Sequence, residues 1–360
     1  MSRKAKDRIA QAAVYGSAGF TVLILVVIIG FILVKGLPGI NIGFLTRDWQ
    51  DTTTYAIIRT DVKAEEIQTG TIDGLGVTLE EMEKGLEITS LDKDSVLKNA
   101  VNVKGAAYEL KKGDYITKVQ EEEDGSLRLK VVRPGGGIVP MVVTTLYMII
   151  LALVIAAPIG ILSAVYLIEY AKPGKLMTAI HFAIENLAGI PSIIYGLFGN
   201  LFFVKICQMQ YSILAGAMTL SIILLPTIIN TTEEALKTVP RTYRESSLGL
   251  GATKLQTISK VVLPNALPGI LVAILLSIGR IVGESAALLL TAGTVAKIPG
   301  ALVGNSASGA TLTIKMYTLM KEENDLTTAC AIGIVLLVII ILLNFASKTI
   351  TNKLLTKKGE

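Results

Sequence analysis

The chain has 360 residues, 51% of them hydrophobic and only 18% charged, with a net charge of +5. That balance is too apolar for an ordinary soluble domain of this length. Nucleic acid is a poor explanation for the positive charge, because the basic residues lie mainly in short segments between apolar blocks, with no basic groove interleaved with aromatics.

Apolar blocks of about 18 or more residues are long enough for an α-helix to cross a hydrocarbon core near 30 Å thick. Six are legible, at 14–34, 140–168, 180–204, 211–230, 266–291 and 328–345. The expected fold class is an all-α polytopic membrane protein of about six transmembrane helices, interrupted by one small α/β extracytoplasmic domain. The first block follows Arg3, Lys4, Lys6 and Arg8. Its charged start is that of a secretory signal, but its length and the lack of a small-residue cleavage motif predict a retained anchor.

Residues 37–137 form a long polar segment of mixed charge. The remaining five blocks crowd into 138–347, and 348–360 is a basic tail. Lys172, Lys175, Lys237, Arg241, Arg244, Lys254, Lys260, Lys348, Lys353, Lys357 and Lys358 fall on one side of a six-span count, with the N-terminal cluster. Lys205, Lys297, Lys315 and Lys321 fall on the other. Because cytoplasmic loops are enriched in Lys and Arg, both termini are expected in the cytoplasm.

Cys207 and Cys330 lack the close spacing of a zinc or redox pair, and both read as buried thiols. His181 is the only histidine, with no Cys, Asp or second His at ligand spacing, so no metal is expected. Glu169 and Glu185 near span ends read as interfacial structural groups. No nucleophile–base pair suggests an enzyme.

Residues 231–264 are polar and helix-compatible. The pattern predicts a first short helix capped by Thr232, with Glu233 and Glu234 in its first turn and Pro240 ending it. A turn at 248–251 and a second helix over 252–262 follow, broken by Pro264. Such a hairpin suits a groove on a soluble motor. It resembles the coupling loop of ABC importer permeases, E-A-A-x(3)-G-x(9)-I-x-L-P. Glu245, Gly251, Val261, Leu263 and Pro264 stand at those positions, with Ser246 and Ser247 for the alanines and Val261 for isoleucine. The resemblance implies that Glu245, Gly251, Leu263 and Pro264 carry contact with an ATPase. The chain has no G-x-x-x-x-G-K-[ST] loop of its own. ATP and magnesium would therefore sit on that partner, and no cofactor on this chain.

Further stretches, from Gly135 to about Gly293, resemble the PstA-type phosphate permeases. Among them are Gly136-Gly137-Ile138-Val139-Pro140 leading into Thr144-Thr145-Leu146, Ala157-Pro158-Ile159-Gly160, and Ala164-Val165-Tyr166-Leu167-Ile168-Glu169-Tyr170. Others are Gly189-Ile190-Pro191-Ser192-Ile193-Ile194-Tyr195-Gly196-Leu197-Phe198 and Gly279-Arg280-Ile281-Val282-Gly283-Glu284-Ser285-Ala286-Ala287-Leu288-Leu289. The last departs from the family's G-R-A-x-G-E-T-A-P-L-L at Ser285, which keeps the hydroxyl, and at Ala287, which removes a kinking proline. The resemblance implies phosphate import across a bacterial-type plasma membrane. The implied partners are a PstC-like second permease, PstB-like ATPase subunits and a PstS-like external binding protein.

Arg280 and Glu284 are the expected transport residues. A charge in a span is costly and faces a partner or a wet path. At i and i+4 the two would share one helix face and pair, with the guanidinium fork matched to phosphate oxygens. The alternative is a structural ion pair. Thr144, Thr145, Ser192 and Tyr195 can add neutral hydrogen bonds, although Ser and Thr in spans also bond their own backbone.

Within the polar insert, 71–133 resembles a PDZ-like module. Gly74-Leu75-Gly76-Val77 would be its carboxylate loop, 85–88 a strand, 95–100 a short helix and 113–116 a turn and strand, followed by a turn at 121–125 and a strand at 126–132. The helix that normally walls the peptide groove has no counterpart between Val119 and Arg133. The reading from another class is a membrane-anchored peptide-binding scaffold or sensor. Within the transporter class, another oxyanion is the alternative cargo.

Overall fold

The computed structural model describes residues 3–356 apart from 83–84, 104, 123–124 and 305. The chain divides into two compact units, one built of residues 42–139 and the other of the segments on either side.

The first helix, α1 (Arg3–Gly36), is prolonged by a 3-10 turn at Leu37–Gly39, and together they hold an apolar stretch, Gln11–Gly39, long enough to cross a bilayer. Then comes the insert, with α2 (Ile42–Thr46) followed by β1 (Thr52–Arg59), β2 (Gly70–Ile72), β3 (Val77–Met82), β4 (Gly85–Leu91), β5 (Val101–Asn102), β6 (Tyr115–Glu121) and β7 (Ser126–Arg133). These strands form one antiparallel sheet in the order β2-β3-β4-β6-β7-β1-β5. Its longest pairing runs from Thr52 opposite Arg133 to Arg59 opposite Ser126. Alternation along the strands sends Ala56, Ile58, Leu79, Ile88, Leu127, Leu129 and Val131 into a common core.

The insert differs from the expected α/β domain. After α2, its described residues hold no α-helix, only 3-10 turns at Ala64–Glu66 and Val96–Asn99. The second stands where a helix over 95–100 was expected, in a segment too short to repay helix nucleation. There the Ser95 hydroxyl accepts from the Leu97 N–H at 3.3 Å and donates to the Leu75 carbonyl at 2.6 Å. Of the turn at 121–125, Glu123 and Asp124 lie outside the described residues; the Gly125 N–H donates to the Glu122 carbonyl at 3.0 Å.

The second unit resumes with α3 (Val139–Val165), prolonged by a π-turn at Tyr166–Tyr170. The expected span at 180–204 is instead two helices, α4 (Lys175–Gly189) and α5 (Ser192–Gly199), the second continuing as a π-turn to Ile206. They meet at 98°. Pro191 forces the bend, because the residue before a proline is driven out of the helical region, and Ile190 is extended at φ −70°, ψ 130°. Counting this bent pair as one, the described residues hold up to six helices apolar and long enough to span.

Next is α6 (Ile213–Lys237), the most enclosed of the spans. It passes without a break through Thr231–Glu234, so Thr232 lies buried in mid-helix and caps nothing. Burial carries on past the stretch that the cap signal marked, with Glu233, Ala235 and Leu236 also enclosed. The coupling segment supplies α7 (Arg241–Gly249) and α8 (Lys254–Thr257), and a π-turn at Ile258–Val262 leads into α9 (Leu263–Gly283). Pro264 does not break the helix, since Lys254–Gly283 is one continuous span. A π-turn adds a residue to the coil and makes room for a proline ring.

That span stops at Gly283 rather than running to 291. Glu284 is extended at φ −81°, ψ 125°, and α10 (Ala286–Leu289) starts anew beyond it. The break forms although Ala287 replaces the family's proline. Two helices follow, α11 (Leu312–Thr318) and α12 (Leu326–Thr356).

Small residues bring these helices together, as usual in lipid. A Cβ on Gly196 of α5 would stand 2.7 Å from the Ala287 Cα of α10, and one on Gly36 would stand 2.6 Å from the Cys330 carbonyl carbon of α12. Cys330 is buried as expected, whereas Cys207, just after the α5 π-turn, is exposed.

Candidate functional site

The coupling segment is a helical hairpin. Gly251 makes its turn at φ +86°, a conformation open to glycine. Thr253 caps α8 reciprocally with Gln256: its hydroxyl accepts from the Gln256 N–H at 3.3 Å, and its own N–H donates to the Gln256 side chain at 2.9 Å. The Ser247 and Thr257 hydroxyls meet at 2.9 Å and tie α7 to the second arm. Glu245 is exposed on α7, in company with exposed Tyr243, Leu248, Leu250 and Leu255. Leu263 is half-buried and Pro264 exposed. A compact element showing apolar groups and a carboxylate is suited to docking on a protein partner.

Arg244 anchors this hairpin. Its Nε and Nη2 both donate to Glu169 Oε1, at 2.9 and 2.8 Å. Nη1 donates to the Val239 carbonyl at 2.7 Å and Nη2 to the Leu236 carbonyl at 3.0 Å. Lys254 sits 4.7 Å from the centre of the Tyr170 ring, beside Glu169. With Lys237, Arg241 and Glu245, the pair borders a cavity of about 490 Å³. Sequence reasoning took Arg244 only as a topology charge and Glu169 as an interfacial group. A carboxylate at the end of an apolar block, facing loss of hydration, was the signal that it needed a partner.

The second constellation lies along α9. Arg280 is half-buried, and its Nη1 donates to the Thr227 hydroxyl of α6 at 3.3 Å. The Tyr195 hydroxyl donates to the Leu187 carbonyl at 2.7 Å. Thr227 was not foreseen.

The expected pairing of Arg280 with Glu284 on one helix face is not what the structure shows. Among the described residues no ion pair joins them, because the helix ends between them. Glu284 is only 9% exposed, and its Oε1 accepts the Ala287 N–H at 3.1 Å. Its backbone carbonyl accepts from the Thr313 hydroxyl at 2.9 Å.

The Thr145 hydroxyl joins the same region. It donates to the Met141 carbonyl at 2.7 Å and accepts the Leu312 N–H at 3.1 Å. Thr144 is fully buried, and its hydroxyl has no hydrogen-bond partner among the described residues. Ser192 is half-buried as the first residue of α5. Of the predicted residues, Glu284 and Thr145 are thus drawn toward one region through Thr313 and Leu312, while Arg280 bonds Thr227 and Tyr195 bonds Leu187.

His181 on α4 places Nδ1 3.9 Å from Oε1 of the buried Glu233 on α6. Among the described residues no three His, Cys, Asp or Glu side chains stand together as metal ligands would. In the insert, Gly74-Leu75-Gly76-Val77 turns β2 into β3. The Leu75 and Gly76 N–H groups both donate to the Ile72 carbonyl, each at 3.0 Å, and Leu75 is buried.

Part of this chain is similar in sequence to known proteins. "Probable ABC transporter permease protein YqgI" of Bacillus subtilis is 38% identical over 162 residues, 45% of this chain and 55% of its own length. "Phosphate transport system permease protein PstA homolog" of Mycoplasma pneumoniae is 39% identical over 189 residues, 51% of this chain and 29% of its own. This chain therefore spans about half or less of those two relatives. "Phosphate transport system permease protein PstA 1" of Mycobacterium tuberculosis is 35% identical over 219 residues, covering 60% of this chain and 71% of that protein. The family model for "Binding-protein-dependent transport system inner membrane component" matches residues 156–356. That match takes in the coupling hairpin, Arg280 and Glu284, and the chain belongs to the family of binding-protein-dependent transport system inner membrane components.

Proposed function

We propose that this chain is one permease half of an ATP-driven importer of inorganic phosphate. A second, PstC-like permease would complete the pore, PstB-like ATPase subunits would bind ATP and magnesium, and a PstS-like external protein would deliver the anion. Both termini lie in the cytoplasm in this reading, so the hairpin faces the ATPase. The chain performs no covalent chemistry.

The observation that carries the reading is the coupling hairpin itself. Its first arm, α7, shows the exposed Glu245, and its second arm, tied to the first by Ser247 and Thr257, runs on unbroken from Lys254 to Arg280. A push on the hairpin therefore reaches the one arginine of the spans. Arg280 is held by a neutral hydroxyl rather than a carboxylate, which leaves donors of its fork for phosphate oxygens. Thr144, Thr145, Ser192, Tyr195 and Glu284 shape the neighbouring path. The names of the PstA relatives support phosphate as cargo.

The test is ATP-dependent uptake of labelled phosphate into vesicles holding the chain with its partners. Uptake that is lost with Arg280→Ala, while the ATPase stays bound, supports the assignment. Transport of another oxyanion in place of phosphate would remove the cargo and leave the architecture. Absence of any bound ATPase would favour the membrane-anchored scaffold.

A further inference from the structure

Four elements, α7, α8, α6 and the extension of α3, meet at the base of the hairpin, and one side chain ties three of them together. From α7, Arg244 reaches Glu169 at the end of the α3 extension, the Leu236 carbonyl in the last turn of α6 and the Val239 carbonyl just beyond it. The Glu169 side chain is 9% exposed and that of Arg244 18%. Immersing a carboxylate and a guanidinium this far costs each its hydration, and replacing such a pair with apolar groups is often no loss to stability. What it supplies is geometry, because a planar fork with four bonds fixes direction as well as distance.

The other arm holds the same point by different chemistry. Lys254 of α8 lies over Tyr170, the neighbour of Glu169, and Ser247 joins Thr257 across the two arms. The hairpin is continuous with α9 through the backbone. Its hold on α3 has no such covalent path, since 70 residues of chain and the α4–α5 bend intervene, and it runs through these side chains.

We propose that Arg244 and Glu169 are positioning residues for coupling: the pair makes α3 move with the hairpin when the ATPase moves it. This rests on the reading of the chain as an importer permease. Neither residue touches the cargo or the nucleotide. Without the pair the hairpin still docks, and its motion reaches α9 but not α3, so that ATP is spent without transport.

The experiment uses the complete transporter in vesicles and reads phosphate uptake and ATP hydrolysis together for wild type, Arg244→Ala, Arg244→Lys and Glu169→Gln. The expected result is retained ATPase binding, hydrolysis within about twofold of wild type and an uptake-to-hydrolysis ratio at least tenfold lower for Arg244→Ala. Arg244→Lys should be intermediate, because an ammonium keeps the charge and loses the fork. A charge exchange, Glu169→Arg with Arg244→Glu, should recover part of the ratio.

A second readout is independent of cargo. Spin labels at Leu162→Cys on α3 and Thr242→Cys on α7, with Cys207→Ser and Cys330→Ala, report the distance between the two helices with and without trapped nucleotide. In wild type that distance holds; in Arg244→Ala it should change with nucleotide. Uptake and hydrolysis falling in parallel, or the same distance behaviour in wild type and variant, would overturn the proposal. If wild type moves no phosphate yet the spin-label contrast appears, the cargo assignment fails and the clamp stands.

Discussion

Arg280 on α9 and Thr227 on α6 are joined by a 3.3 Å hydrogen bond from guanidinium to hydroxyl, and this contact takes the place of the carboxylate pairing that their sequence neighbourhood suggests. The hydroxyl orients the arginine without cancelling its charge. Arg280→Lys and Arg280→Gln are each expected to lower phosphate uptake at least tenfold. Thr227→Val removes one hydrogen bond worth about 1 kcal/mol, or about fivefold at most. Uptake by Arg280→Gln at the wild-type rate would remove Arg280 from the path.

Glu284 and Ala287 give a second, separable expectation. The Glu284 Oε1 caps the start of α10 through the Ala287 N–H, and a glutamine keeps an oxygen at that point where an alanine does not. Glu284→Gln should therefore hold its melting temperature, and Glu284→Ala should lose about 1 kcal/mol of stability, read by thermal melting in detergent. If Glu284→Gln stops uptake with no loss of stability, the charge itself serves transport and the cap is incidental.

In the insert, Arg133 is fastened to Asp114 through Nε at 2.9 Å and Nη2 at 2.7 Å, and lies 5.0 Å from the Tyr108 ring centre. The bond to Asp114 pushes the Arg133 pKa up. Burial raises that of Tyr108, whose hydroxyl has no hydrogen-bond partner among the described residues. Asp114→Ala removes the carboxylate and leaves the guanidinium only the Glu109 carbonyl, at a cost of about 1–3 kcal/mol. Tyr108→Phe keeps the ring under the cation and should cost nothing. Amide exchange in β6 and β7 distinguishes them, and equal protection in Asp114→Ala and wild type would contradict the assignment.

Asp325 precedes α12 and accepts the Thr328 N–H at 2.9 Å. Bonding to Thr328 holds its pKa below the usual 3.8. A depressed carboxylate pKa stabilises the folded state above the unfolded value, and that contribution fades as pH falls through the folded value. Asp325→Ala should thus melt lower than wild type at pH 7, by about 1 kcal/mol. The gap should close below about pH 4; a gap unchanged in acid would mean that the side chain acts without its charge.

The spans and the hairpin were legible because lipid demands long apolar runs and because the turn at 248–251, with Gly251 at φ +86°, carries a strong local signal; the Thr253–Gln256 cap on the second arm was there to be read and was missed. What was misread turned on competition between local and tertiary effects. Thr232 has the chemistry of a cap, yet it lies inside a helix that packing carries on to Lys237, with Thr232 and Glu233 both buried. Pro264 has the chemistry of a breaker, yet the π-turn before it absorbs the ring. Arg280 and Glu284 have the spacing of a helical pair, and only the extended backbone at Glu284 separates them. The Arg244–Glu169 contact joins residues 75 apart in sequence, and no periodicity reports on that.

The two ends of the insert's sheet carry a last consequence. Thr52, at the start of β1, stands directly opposite Arg133, at the end of β7. Neighbouring strands lie about 5 Å apart, so the chain enters and leaves this sheet at adjacent points. A domain with such termini asks no more separation of the flanking segments than a tight turn would, and it can be gained or lost by a lineage in a single genetic event without re-spacing the helices on either side.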